Sequence, residues 1–121
     1  MSTETKTKPF ITPTDNVNMT TPEEGLRRQV MSTTDKLMLV RHLQVKGWVG
    51  ARHKHPHEQL LYIVYGTVVL KVENPTTGQD DVFTMKKGDS LIVPGDRMHE
   101  AAALEDVEVI DVFTPARDDY R

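Results

Sequence analysis

The stretch His53-Lys54-His55-Pro56-His57-Glu58-Gln59-Leu60-Leu61-Tyr62-Ile63-Val64-Tyr65-Gly66 decides how the chain folds. Three imidazoles stand within five residues, and a polar amide then heads an apolar alternating run. That pattern describes a metal-binding edge joined to a β-strand. In extended backbone, residues i and i+2 face the same way, so His53 and His55 can converge on one ion. His57 keeps that register only in an unbroken strand, and Pro56, with its fixed φ, predicts a bend instead. From Gln59 onward, alternation puts Gln59, Leu61, Ile63 and Tyr65 on one face and Leu60, Tyr62 and Val64 on the other. If the first face continues the ligand face, Gln59 is the third ligand of this segment and His57 is displaced outward. Four of the five histidines, at 53, 55, 57 and 99, fall in two segments, and strands packed across an interior make His99 a fourth ligand. Histidines around a proline also suit a solvated loop, but four in this arrangement favour the metal. His42 stands alone in a strand pattern and is expected to be a satisfied core or interface histidine.

At 121 residues and 37% hydrophobic composition, the chain suits one domain with a modest core. A formal charge of −3, with no run of Lys or Arg, leaves no basic field for nucleic acid or an anionic membrane. There is no cysteine, so any metal is held by nitrogen and oxygen ligands, which favours a first-row ion. The N-terminus has no apolar signal core, and no stretch nears the roughly 20 apolar residues of a membrane span. A cytoplasmic location is expected.

Residues 1–22, rich in Thr, Lys, Pro and Asn, are predicted to form a flexible arm, and residues 23–121 the folded domain. Within the arm, Phe10, Ile11, Val17 and Met19 can supply an edge strand to this domain or, by exchange, to a partner subunit. Thr21-Pro22-Glu23-Glu24 has the chemistry of a helix start, although Gly25 weakens it and Leu26–Met31 suits a short strand equally. Strands are predicted over Leu37–Lys46, Gln59–Tyr65, Thr67–Glu73, Val82–Met85, Ser90–Val93 and Val107–Thr114. On the first of these, Met38, Val40, His42 and Gln44 share a face. His99 falls on a loop or at a strand entrance, and Ala101–Leu104 has helical propensity over too few residues to stand alone. Six to eight short strands without a helix of ordinary length predict an all-β sandwich or jelly-roll barrel.

On the last strand, Val107, Val109, Asp111 and Phe113 share a face. A carboxylate on an interior face costs desolvation unless it is paired or poised for proton transfer, which makes Asp111 a candidate general acid or base. Arg117, just beyond Pro115, can fold back over the site, where its planar fork suits a substrate carboxylate. A salt bridge to Asp111, Asp118 or Asp119 is the competing reading. Tyr62 and Tyr65 are expected to pack rather than to catalyse.

These segments resemble the paired motifs of the cupin superfamily. In the first motif, His53-Lys54-His55 is followed by Gln59, seven positions before Gly66, the variant with glutamine in place of glutamate. In the second, Gly88, Pro94 and His99 match, while Asp96 stands where glycine is usual and Ala103 where asparagine sometimes ends the motif. The resemblance covers residues 25–117. It implies a jelly-roll barrel of two antiparallel sheets, in which His53, His55, Gln59 and His99 bind one divalent transition metal, Ni, Fe, Mn or Zn. Within the superfamily, His53–Gln59 together with Asp111-Val112-Phe113-Thr114-Pro115-Ala116-Arg117 is similar to the pectin-degradation cupins of the KdgF type. Their sites set an aspartate, a phenylalanine and an arginine beside the metal, which implies catalytic roles here for Asp111, Phe113 and Arg117. The implied reaction, of the isomerase or lyase kind, opens a cyclic 4,5-unsaturated uronate to its keto form.

Two other functions draw on the same ligands. A metal-dependent dioxygenase or polyketide-type cyclase needs a larger apolar pocket and, for oxygenation, a redox-active metal. A non-enzymatic small-molecule-binding cupin closes its coordination sphere. The expected partners are an anionic small molecule and a second copy of the chain in a homodimer, because exposed strand edges invite pairing; neither nucleic acid nor membrane is expected.

Overall fold

Apolar residues recurring at every second position make this chain form strands almost throughout. The computed structural model describes residues 8–15 and 18–121. Among these, the strands are β1 (Met19–Glu23), β2 (Leu26–Thr33), β3 (Met38–Gln44), β4 (Glu58–Tyr65), β5 (Thr67–Glu73), β6 (Asp80–Lys86), β7 (Ser90–Val93), β8 (His99–Ala103) and β9 (Val107–Thr114). A 3-10 turn, Asp118–Tyr120, follows β9. No helix among the described residues is long and apolar enough to cross a membrane.

The helix start suggested by Thr21-Pro22-Glu23-Glu24 does not form. Thr21, Pro22 and Glu23 lie in β1, an edge strand, where a proline lacking its N–H is tolerated. Gly25, at φ +84°, turns the chain directly into β2. Met19 begins this edge strand, Phe10 and Ile11 lie outside any strand, and Val17 is outside the described residues, as are residues 1–7 of the arm. In β8 the helical propensity of Ala101–Ala103 loses to pairing with β5.

All pairings are antiparallel, in a six-stranded sheet of order β1-β2-β3-β9-β4-β7 and a three-stranded sheet of order β6-β5-β8. The two sheets are as expected, but the barrel is not closed: β1, β7, β6 and β8 remain edge strands. On the β8 side the reason lies in residues 47–53, which run along the free edge of that strand. Gly47 takes φ +90° there, and the segment meets β8 through isolated bridges, Val49↔Ala102 and His53↔His99. It does not add the continuous strand that closure needs.

The inner faces of both sheets meet in a core that includes Leu61, Ile63, Val68, Leu70, Val93 and Val109. Each such burial contributes about 1.5–3 kcal/mol. A smaller cluster of Met38, Val40, Phe113 and Ala116 lies where the chain turns back after β9. Along β3 the buried positions are Met38, Val40, His42 and Gln44, as alternation requires. Along β4 the pattern holds to Ile63, after which a register shift turns Tyr65 outward. Tyr62 faces outward by the regular alternation, and Tyr62 and Tyr65, expected to pack rather than to catalyse, are 48% and 45% exposed.

Gly66 carries the chain from the larger sheet to the smaller at φ +87°, and a Cβ there would lie 2.1 Å from the Asp106 carbonyl and 2.8 Å from Val107 Cα. Both obstacles are backbone, so neither can move aside. Gly66→Ala is expected to cost about 3 kcal/mol or more and to lower the melting temperature by roughly 10 °C or more, readable by calorimetry.

The register also sets up the site. Arg28 lies opposite His42, and His42 opposite Val109; Val40 lies opposite Asp111, and Phe113 opposite Gln59. His42, Asp111 and Gln59 are thus diagonal neighbours on the inner face of β3, β9 and β4, within reach of one another.

Candidate metal centre

Two turns bring the motifs together. Gly95 packs where a Cβ would lie 2.4 Å from the Pro56 carbonyl, so the turn after β7 approaches the histidine loop because residue 95 has no side chain. The Asp96 N–H then donates to the His55 carbonyl at 2.8 Å. Asp96 takes φ +62°, the left-handed conformation for which the usual motif has glycine and which Asp tolerates better than most residues. His53 and His99 exchange a pair of backbone hydrogen bonds, 3.0 and 2.8 Å, which sets their rings 4.4 Å apart.

His53, His55 and His99 offer ring nitrogens that all lie within 4.8 Å of one another. In each ring Nδ1 meets a nearby backbone carbonyl: Ala51 at 2.9 Å for His53, His57 at 3.0 Å for His55, and Arg97 at 2.8 Å for His99. A carbonyl only accepts, so each Nδ1 carries the proton and each Nε2 keeps a bare lone pair. Burial, then the nearby Arg117 and His99, push the His55 imidazolium down to about 4, so this ring is neutral near pH 7. Burial likewise lowers His99, with His53 and Arg117 acting in the same direction.

The Gln59 side chain completes the set. Its Nε2 donates to Asp111 Oδ1 at 2.8 Å, which turns Oε1 toward His55 Nε2 at 3.1 Å. Both facing atoms are then acceptors with no proton between them. Such an apposition is unfavourable in a buried site unless a cation lies against both, and a neutral imidazole-and-amide donor set suits a divalent first-row ion. These four residues therefore fit the metal that their spacing suggests.

Behind Gln59 runs a chain of hydrogen bonds. Asp111, 3% exposed, accepts from His42 Nδ1 through Oδ2 at 2.6 Å, and His42 Nε2 accepts from Arg28 Nε at 3.0 Å. His42 is thus the satisfied core histidine that its strand context suggests, bonded through both ring nitrogens. Its link to Asp111 spans 69 residues of sequence and depends on the β3–β9 register, for which a single strand pattern carries no signal.

Arg117 makes the salt bridge of its competing reading, to Asp119. Nε and Nη2 clamp Asp119 at 2.9 and 2.7 Å, while Nη1 is buried without a partner among the described residues. Although burial opposes its charge, the bonds to Asp119 raise its pKa. Phe113 is fully buried, edge-on to His55 at 5.8 Å and 5.0 Å from the Arg117 guanidinium carbon, so it props both side chains. His57 is displaced from the ligand register, outside the three-histidine group; it is half-buried, with its ring 5.4 Å from that of His55. Tyr120, which no sequence pattern marks, lies between two guanidinium groups, 3.7 Å from Arg28 and 4.1 Å from Arg117. A cavity of about 360 Å³ between the sheets is lined by His53, Gln59, His99, Asp111, Arg117 and Gln44, among others.

The sequence profile of the Cupin domain matches residues 39–113, more than half of the chain. The chain belongs to the cupin superfamily. This cupin is 32% identical over 99 residues to the pectin degradation protein KdgF of Dickeya dadantii (strain 3937), an alignment that spans 80% of this chain and 84% of that protein. The structure of KdgF from a Halomonas species superposes with a TM-score of 0.82 at 32% identity, covering 93% of this cupin and all of that chain. An RmlC-like cupin from Shewanella frigidimarina superposes with a TM-score of 0.81 at 30% identity, covering 94% of this chain and 97% of its own. Oxalate decarboxylase from Bacillus subtilis, at 20% identity and a TM-score of 0.73, shares the fold; this cupin covers 28% of that longer chain.

Proposed function

We propose that this cupin is a metal-dependent enzyme that opens and tautomerises a small 4,5-unsaturated uronate. The observation that carries the reading is one cavity lined by His53, Gln59, His99, the buried Asp111 and Arg117, with His55 grouped beside the other two histidines and Arg117 Nη1 unpartnered among the described residues. Its similarity to a protein named for pectin degradation supports the same substrate class.

Four neutral donors would leave a bound divalent ion its full positive charge, to act as a Lewis acid on a substrate oxygen. Arg117 Nη1 binds the substrate carboxylate, and its bidentate bond to Asp119 holds the guanidinium in place. Gln44, whose Oε1 is buried without a partner in the same cavity, accepts a bond from a substrate hydroxyl. Each Asp111 oxygen accepts one bond from the protein and keeps further lone-pair capacity. Asp111 takes the proton of the C1 hydroxyl, the bond between C1 and the ring oxygen breaks with its electron pair remaining on oxygen, and return of that proton from Asp111 to C4 turns the resulting enolate into a ketone and restores the carboxylate. The reaction is an isomerisation and needs no co-reactant.

The test is to incubate metal-loaded protein with unsaturated galacturonate and follow the ultraviolet absorbance of the C4=C5 enol ether. Loss of that absorbance, without oxygen uptake, is expected. Unchanged absorbance with the metal bound sinks the reading, and oxygen consumption points to an oxygenase instead. Arg117→Met is expected to raise KM about 10- to 100-fold, the value of one charge-assisted hydrogen bond, with a smaller change in kcat.

A further inference from the structure

His42 has no part in the steps above, yet it is buried and hydrogen-bonded through both ring nitrogens. We infer that His42 is a positioning residue that, through Asp111, turns the amide oxygen of Gln59 toward the metal. The inference rests on the reading of His53, His55, Gln59 and His99 as ligands.

The direction of every bond in the chain follows from its first member. A guanidinium can only donate, so Arg28 Nε requires a bare Nε2 on His42, and the ring proton sits on Nδ1. Nδ1–H donates to Asp111 Oδ2, a carboxylate oxygen that can only accept. The other oxygen, Oδ1, then takes the Nε2–H of Gln59, and Oε1 is left facing His55 Nε2. The polarity matters because a glutamine amide has one end that ligates a cation and one that cannot. Turned over, its NH₂ would donate to His55 Nε2 and consume the lone pair of a second ligand. An Asp111 without the His42 donor is free to swing about its Cβ–Cγ bond, and the Gln59 amide loses the acceptor that orients it. Outer hydrogen-bond partners of this kind typically hold about 10- to 100-fold of metal affinity.

The experiment compares His42→Asn, whose amide NH₂ stands where Nδ1 stood, with His42→Leu, which fills similar space without a donor. Co(II) alone is titrated into each by calorimetry, with visible spectra of the loaded proteins and melting temperatures of the metal-free ones. The expected result is Co(II) binding about 10- to 100-fold weaker in His42→Leu with shifted ligand-field bands, and wild-type bands with affinity within about threefold in His42→Asn. Equal affinity in wild type and His42→Leu overturns the inference while leaving the metal site standing. Equal loss in both variants overturns it too, because packing and not donation would then be the cause. Wild-type protein that takes up no Co(II) removes the metal reading and the inference with it. Imidazole ¹⁵N shifts of the wild-type protein supply a check that no variant's folding affects: a proton on Nδ1 is expected, and one on Nε2 overturns the chain.

Discussion

Asp111→Asn is expected to lower kcat by about 10²- to 10⁴-fold at saturating metal, the range a positioned acid or base contributes. The two side chains have nearly the same shape, so packing beneath the cavity is kept. An amide NH₂, however, can neither take a proton nor accept a bond. Both neighbours of Asp111, His42 Nδ1–H and Gln59 Nε2–H, donate to it, so one of them must face the NH₂ of asparagine. The conflict reaches the ligand set through Gln59, so metal affinity is expected to fall as well. Turnover and metal content are therefore measured separately, with the metal raised until the variant is loaded. A loaded Asp111→Asn protein that keeps kcat within a few-fold of wild type removes Asp111 from proton transfer.

His99→Ala is expected to abolish metal retention after dialysis and, with it, activity. His99 supplies one of three converging imidazoles, and losing a direct ligand costs more than the roughly 10- to 100-fold attached to an outer partner. The fold should survive. The bridge between His53 and His99 is made by backbone atoms, and β8 pairs with β5 over Ala103, Ala102, Ala101, Glu100 and His99 through main-chain bonds that alanine also makes. Elemental analysis together with the melting temperature of the metal-free protein separates loss of metal from loss of structure. Lys54→Ala, an exposed change inside the same loop, serves as the control that keeps full metal content. Full stoichiometry in His99→Ala would falsify the three-histidine site.

Much of the site was legible because its residues answer to local rules. His53 and His55 bring their ring nitrogens together, as their two-residue spacing suggests, and Gln59 heads the face of β4 on which Leu61 and Ile63 are buried. Asp111 announces itself by breaking an apolar alternation, and it is indeed paired rather than solvated. The harder cases all turn on register. Tyr65 leaves its expected face through a shift after Ile63, the helix start at Thr21 gives way to strand pairing with β2, and the sheets stay open where residues 47–53 make bridges in place of a strand.

Composition and pattern alone determined the chemistry available: nitrogen and oxygen ligands, a β fold, an interior carboxylate and an arginine beyond the last strand. Those properties follow from side-chain type and from the two-residue period of a strand, which act over a few positions. Which acceptor faces which donor belongs to the tertiary structure. His42 meets Asp111, and Asp111 meets Gln59, across diagonals of three neighbouring strands whose relative offset no single strand encodes. Hydrogen bonds depend on distances of a few tenths of an ångström, and those are settled only when the sheets pack.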